Sequence, residues 1–317
     1  MECPIQVLRL VLVAGLLLAF GRAEAAPNAK QGRFDIDKGG GVWIFRYSYA
    51  DEGNGTRKLE FALPADKVRH DNDVSLNFPK EASAKAQVAA IRTYADGRKG
   101  MKIKAKATKS GRVQIGVSGR ASKVQATMTG AKAAAGAALD DFLVRHKYTR
   151  LKGGGIVPDH ARLAELYADD VAPLAAALAK DAVDGRTYVA RTLAFVQAIP
   201  YEAGRNGKDR GYRRPLSVLA RNKGDCDSKS ALFLALVRAQ HPELAATVVY
   251  VPNHAFAGVA LEPEAGERSF VRDGVRYVGL EPVGPAKNPV GKVSGHSGWH
   301  LFWGSAEARA LPAASRG

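Results

Sequence analysis

The chain carries two hydrophobic rhythms in succession. Val42 to Tyr49 (VWIFRYSY) is dense in aromatic and β-branched residues, and Glu52-Gly53-Asn54-Gly55 then turns the chain into Lys58 to Leu63. This pattern predicts a hairpin. Further on, Met101, Ile103, Ala105 and Ala107 alternate with Lys102, Lys104 and Lys106, and a Lys109-Ser110-Gly111 turn leads to Val113, Ile115 and Val117. A period of two sets the lysines on one face and the aliphatics on the other, which predicts a second hairpin. A short helix over 82–94 is expected between the two hairpins. From Ala121 the period lengthens: Val124, Met128, Ala131, Ala135, Leu139 and Phe142 recur at helical spacing. They predict an amphipathic helix ending near Lys147.

Gly153-Gly154-Gly155 then punctuates the chain, and Asp159 is a candidate helix cap. Helices are expected over 163–180, bent at Pro173, and over 186–198, closed by Ile199-Pro200. The run Ala231 to Val237 is apolar throughout and predicts one more helix, opened by Gly224-Asp225-Cys226-Asp227-Ser228. Thr247 to Val251, a segment opening at His254, and Val275 to Leu280 behind an Asp273-Gly274 turn all read as strands. The fold class expected is α+β. A β-rich N-terminal region plus helix covers 26–150, a second domain 151–285 and a C-terminal tail 286–317, with a soft boundary near 150–157.

The N-terminus changes the setting of everything that follows. Leu10 to Phe20 holds eleven uncharged, mostly apolar residues, with Arg9 before them and Ala23-Glu24-Ala25-Ala26 after. A membrane-spanning helix needs about 20 residues, so the layout is that of a secretory signal peptide cut after Ala25. The expected protein is exported, periplasmic or secreted, with no transmembrane span after processing. Cleavage removes Glu2, Glu24, Arg9 and Arg22, so the formal charge of +16 from 47 Lys+Arg and 31 Asp+Glu is retained. Export turns that charge away from nucleic acid as a partner. Arg98 to Lys123 holds nine basic residues and no acid, a stripe suited either to an anionic envelope surface or to a solvated lysine face.

Cysteine use sharpens the picture. Only Cys3 and Cys226 occur, which excludes a disulfide-stapled scaffold and a multi-cysteine zinc module. Processing leaves Cys226 alone, at the start of the apolar helix. There, unpaired N–H groups and the positive helix end favour a thiolate. Arg213, Arg214, Arg221 and Lys223 are expected to push the same way, with Asp225 and Asp227 opposing them. Downstream, His254 at a strand start is a candidate base. Glu281, at the end of the strand before Pro282, is a candidate carboxylate to orient it, and the turn residue Asp273 is a weaker one. His296 and His300 lie four apart, but Gly295-His-Ser-Gly-Trp-His offers no credible helix, and no Glu or Cys completes a zinc set.

These residues carry a resemblance. Tyr212 to Cys226 (YRRPLSVLARNKGDC), the following apolar helix, His254-Ala255-Phe256 and the acid-proline pair Glu281-Pro282 resemble the core of the transglutaminase-like superfamily over residues 186 to 285. The resemblance implies a papain-like thiol fold, in which a Cys-bearing helix packs on an antiparallel sheet. It implies a Cys226–His254–Glu281 triad, with Glu281 where that family more often has Asp. It further implies acyl transfer through an acyl-enzyme, with Tyr212 as an oxyanion or substrate-binding residue. No cofactor is called for; calcium at Asp225 and Asp227, as near the cysteine in some exported relatives, stands beside helix capping as a role for that pair. The expected activity is a cysteine protease or amidase acting on protein or envelope peptide. Transfer to an amine, as in a transglutaminase, and a non-catalytic envelope-binding scaffold are the alternatives.

Overall fold

The computed structural model describes residues 31–51, 55–73, 77–202, 212–311 and 313–314. The expected signal segment with Cys3, and residues 52–54 of the first expected turn, lie outside the described residues. Among the described residues helix accounts for 43% and strand for 28%, a mixed α+β composition.

Three antiparallel strands, β1 (Gln31–Asp37), β2 (Val42–Ala50) and β3 (Thr56–Pro64), open the structure. Alternation sends Trp43, Phe45, Tyr47 and Tyr49 of β2 to the same buried face as Leu59, Phe61 and Leu63 of β3. Phe45 stacks on Phe61 with ring centroids 5.1 Å apart. A helix α1 (Ala65–Asp73), not expected from the sequence, follows directly.

The next elements form a satellite: α2 (Lys80–Asp96), β4 (Met101–Ala107), β5 (Val113–Gly119) and α3 (Ala121–Arg145). The lysine hairpin folds as its period dictates. Ile103, Ala105, Val113 and Ile115 pack against Ile91, Ala131 and Ala135, while Lys102, Lys104 and Lys106 face solvent. Gly130 lets the two helices approach, since a Cβ there would meet the Tyr94 hydroxyl at 2.0 Å.

A small hairpin, β6 (Tyr148–Arg150) and β7 (Ile156–Pro158), leads into α4 (His160–Ala179), which holds Pro173 and is capped by Asp159 accepting from the Arg162 N–H. Then come α5 (Gly185–Ala198), α6 (Pro215–Arg221) and α7 (Cys226–Gln240). Strands β8 (Ala246–Val251), β9 (His254–Val259), β10 (Ser269–Arg272) and β11 (Val275–Leu280) are followed by α8 (Gly295–Phe302) and β12 (Glu307–Leu311). The main sheet is antiparallel throughout, in the order β10-β11-β9-β8-β12. Helix α7 lies between this sheet and helices α4, α5 and α6.

Two expectations change. Residues 286–317 are not a mere tail: β12 pairs with β8 along the sheet, and α8 exists despite its two glycines. Ser294 caps α8 by accepting from the Ser297 N–H, which offsets the weak propensity of Gly295 and Gly298. The expected boundary at 150–157 falls inside the β6–β7 hairpin, yet the main hydrophobic core crosses it, joining β2 and β3 to α4, α5, α7 and the large sheet. Phe195 of α5 receives Tyr47 and Tyr49 edge-on at 5.1 and 5.5 Å, and the Tyr47 hydroxyl donates to the Leu219 carbonyl at 3.0 Å. No helix among the described residues is long and apolar enough to cross a membrane.

Because Phe195 joins the two halves, Phe195→Ala is expected to cost about 3–5 kcal/mol. Urea unfolding followed by circular dichroism should show one cooperative transition, moved to lower urea. Two separate transitions in the wild type would mean that the N-terminal sheet folds independently.

Candidate active site

Cys226 is the first residue of α7, and local chemistry fixes it there. Helix α6 ends on Asn222 in the left-handed region (φ 51°). Gly224 then bonds across to the chain after α5: its N–H donates to the Pro200 carbonyl at 3.3 Å, and its carbonyl accepts from the Glu202 N–H at 3.0 Å. A Cβ at Gly224 would press on Lys229, Ser228 and Val218 at 3.2–3.3 Å, so the position is tight. Asp225 then caps the helix, its Oδ1 accepting from the Ser228 N–H at 2.9 Å and the Ser228 hydroxyl at 2.6 Å.

His254 and Glu281 meet. The β8–β9 turn is Pro252-Asn253, with Asn253 in the left-handed region (φ 59°), and His254 opens β9 at its exit. Strand β11 runs antiparallel to β9 with Leu280 opposite Ala257, which brings residue 281 back toward the start of β9. Glu281 is 1% exposed, and its Oε2 lies 2.8 Å from His254 Nε2. Its other oxygen accepts from the Ser294 N–H at 3.1 Å and the Ser297 hydroxyl at 2.5 Å. Burial works to raise the Glu281 carboxyl, but the bonds to His254, Ser297 and Ser294 outweigh it and hold the group below its ordinary value. Asp273, the weaker candidate, sits instead at an exposed turn against Arg272.

Cys226 and His254 line one cleft of about 710 Å³, together with the β6–β7 hairpin, Tyr201, Tyr212, Tyr250 and four acids, Glu202, Asp225, Asp227 and Glu307. His254 Nε2 is engaged by Glu281, and among the described residues the Cys226 sulfur is bonded to Asp227 rather than to His254, so Cys226 and His254 share the cleft without a hydrogen bond between them. Tyr212 is buried in the cleft wall, and its hydroxyl has no hydrogen-bond partner among the described residues. A buried O–H without a partner is a donor left unsatisfied. Behind this wall, His160 is fully buried, with Nδ1 2.6 Å from the Tyr250 hydroxyl and its ring edge-on to Tyr212 at 4.9 Å. Burial drives the His160 imidazole down to about 4, so it stays neutral.

A second hub underlies the site. Lys229, one turn beyond Cys226, is fully buried, and its ammonium donates to the carbonyls of Ile199 at 2.7 Å, Gln197 at 3.4 Å and Val283. Gln197 donates in turn to the Glu281 carbonyl at 3.0 Å and the Asn288 carbonyl at 2.8 Å. Helix α7, the end of α5 and the Glu281 turn are thereby held together. Burial lowers the Lys229 ammonium to about 7.

The electrostatics differ from the expectation of a helix-stabilised thiolate. Burial, followed by Asp227, pushes the Cys226 thiol up to about 12; an N–H from Ala255 acts the other way without reversing it. The S–H donates to Asp227 Oδ1 at 3.5 Å. The four basic neighbours are engaged elsewhere: Arg213 and Lys223 on Glu202, Arg214 on Asp71, and Arg221 on the Asn72 carbonyl. The resting group is therefore a neutral thiol.

Sequence reasoning did not find Ser294, Ser297, Lys229, Gln197 or His160. Only Ser294 had a readable signal, as a serine three residues ahead of Ser297, and the helix it caps was discounted for its glycines. As for metals, no group of three or more His, Cys, Asp and Glu that could hold an ion occurs among the described residues. His296 bonds to the Pro252 carbonyl at 3.0 Å and His300 to the Ser305 hydroxyl at 2.7 Å. Comparison of the chain with protein-family models, curated proteins and solved structures finds no match.

Because the folded Glu281 carboxyl titrates below its unfolded value, its contribution to stability is full above the unfolded pKa and is lost as pH falls through the folded one. The stability gap between wild type and Glu281→Gln, read by urea unfolding, should therefore narrow on acidification from pH 6 toward pH 3. A gap that stays constant would show that the carboxylate is not held by these bonds.

Proposed function

We propose that this chain is an exported thiol hydrolase, a protease or amidase of the transglutaminase-like superfamily on a papain-like core. The observation that carries the reading is the 2.8 Å bond between His254 Nε2 and the buried Glu281, with His254 and Cys226 both lining the cleft at the start of α7. Export rests on the N-terminal apolar segment, and the superfamily on the motif order of Cys226, His254 and Glu281.

In this reading His254 Nδ1 takes the Cys226 proton as the sulfur attacks an amide carbonyl carbon. Glu281 stabilises the imidazolium formed and, held by Ser294 and Ser297, keeps the ring oriented. The oxyanion accepts from the Cys226 N–H at the helix start and from the Tyr212 hydroxyl. Collapse breaks the C–N bond, and the amine leaves with the proton from His254. Water then attacks the thioester with His254 again as base, releasing the acid and restoring the thiol. A neutral resting thiol makes the base indispensable, because little thiolate exists without it. The exposed lysines of the β4–β5 hairpin suit docking to an anionic envelope polymer.

Iodoacetamide labelling of Cys226 at pH 7, read by peptide mass spectrometry, should slow roughly a hundredfold or more in His254→Ala. Envelope peptides released by wild type should be absent with Cys226→Ala. Equal labelling of wild type and His254→Ala would remove the general base from the scheme.

A further inference from the structure

We infer that the cleft selects a substrate bearing a positive charge, an ammonium or guanidinium group, beside the bond attacked by Cys226. This deepens the thiol-hydrolase reading and rests on it. The chain carries a formal +16, yet the described lining of the cleft holds four carboxylates and not one lysine or arginine. Two of the four are already neutralised. Glu202 pairs with Arg213 and with Lys223 at 3.1 Å, and Glu307 pairs with Arg309 at 2.7 Å.

The other two flank the nucleophile. Asp225 and Asp227 have no cationic side chain within ion-pair distance among the described residues. Asp225 is satisfied by Ser228, whereas Asp227 has for its carboxylate only the Cys226 S–H at 3.5 Å, a weak donor. Burial holds both acids above their ordinary value, and neither the Cys226 S–H and His254 at Asp227 nor Ser228 and His160 at Asp225 reverse it.

An independent feature also points to a ligand. Tyr212 is 6% exposed, lines the same cleft, and has a hydroxyl with no partner among the described residues. The cleft lining also includes Phe78, Tyr148, Tyr201 and Tyr250, aromatic surface that favours a cation over an anion. A negative well with low-dielectric walls concentrates cations even inside a positively charged protein. A cationic substrate would also offset the acids that hold the thiol protonated, so binding and activation favour the same charge.

The test uses the full chain and three methanethiosulfonates: a neutral methyl reagent, a trimethylammonium-ethyl reagent and a sulfonatoethyl reagent. Rates of Cys226 modification are read by peptide mass spectrometry and divided by the rates with free 2-mercaptoethanol. At low salt the cationic reagent should react about tenfold or more faster than the anionic one. The ratio should fall toward one in 1 M salt and should drop in Asp227→Asn. A normalised ratio near or below one, with the neutral reagent reacting readily, overturns charge selection and leaves the hydrolase reading standing. Failure of all three reagents at Cys226 removes the accessible nucleophile, and with it both readings. A second arm compares peptide amides with Lys, norleucine or Glu beside the scissile bond. Lys should give the highest kcat/KM, and equal values for the three would overturn the proposal.

Discussion

The burial of α7 is the constraint on which the rest of the structure depends. Every residue from Ser228 to Arg238 is out of solvent, so this helix has no wet face and must be enclosed on all sides. Helices α4, α5 and α6 and strands β8 and β9 provide the enclosure. Its N-terminus is the end that opens on the cleft. Cys226 is thus placed by the packing of a core, not by a loop, which is the kind of support a reacting sulfur needs. Enclosure has a second effect. It removes water from the groups nearest the helix start, so each buried charge there needs a stated partner.

Of the charges near the helix start, Glu281, Lys229 and Asp227 meet that demand in different ways. Glu281 gathers His254, Ser297 and the Ser294 N–H, enough to outweigh its own desolvation. Lys229 has no carboxylate partner among the described residues and is held by three carbonyls from two separate segments, one of them beside Glu281. Because the ammonium bonds to backbone, it fixes chain position rather than side-chain position, and joins the thiol-bearing helix to the turn that bears the carboxylate. Asp227 is the exception, with only a thiol as donor. The site is therefore well satisfied on its Glu281 side and poorly satisfied on its sulfur side.

Elements with a strong local rhythm were legible in the sequence. The lysine hairpin was readable as to its strands and faces, because alternation puts Ile103, Ala105, Val113 and Ile115 on one side and the lysines on the other. The helices with long apolar periods and Asp caps followed the same logic. What escaped depended on distant partners. Helix α8 is held in place by Ser294 and Ser297 bonding to Glu281, a residue thirteen positions before Ser294. No local pattern carries that information, and its glycines argue against it. Lys229 is written as an ordinary lysine after Asp-Ser, and only the fold shows that it points inward. The basic run near Cys226 looked like an activating field, yet Glu202 and Asp71, remote in sequence, take up its charges. Charge composition near a residue is thus a poor guide to the potential it feels.

A neutral thiol beside two acids has a chemical consequence that a thiolate would not. If the resting sulfur were ionised, base and nucleophile would be separately poised, and the carboxylates would only weaken the pair. With the proton held on sulfur, the proposed attack would need coupled transfer to His254, and the acids that disfavour the thiolate would set how hard that transfer is. Asp225 is not free to be removed, since it starts the helix that carries the sulfur. The carboxylate that positions the sulfur therefore also disfavours its ionisation, behind burial and Asp227, and in the proposed reading a positive charge brought in from outside would relieve that restraint. In the proposed reading the helix start thus links stability, restraint and charge preference: Asp225, which caps the helix, and Asp227, which holds the thiol proton, would together favour a cation in the cleft.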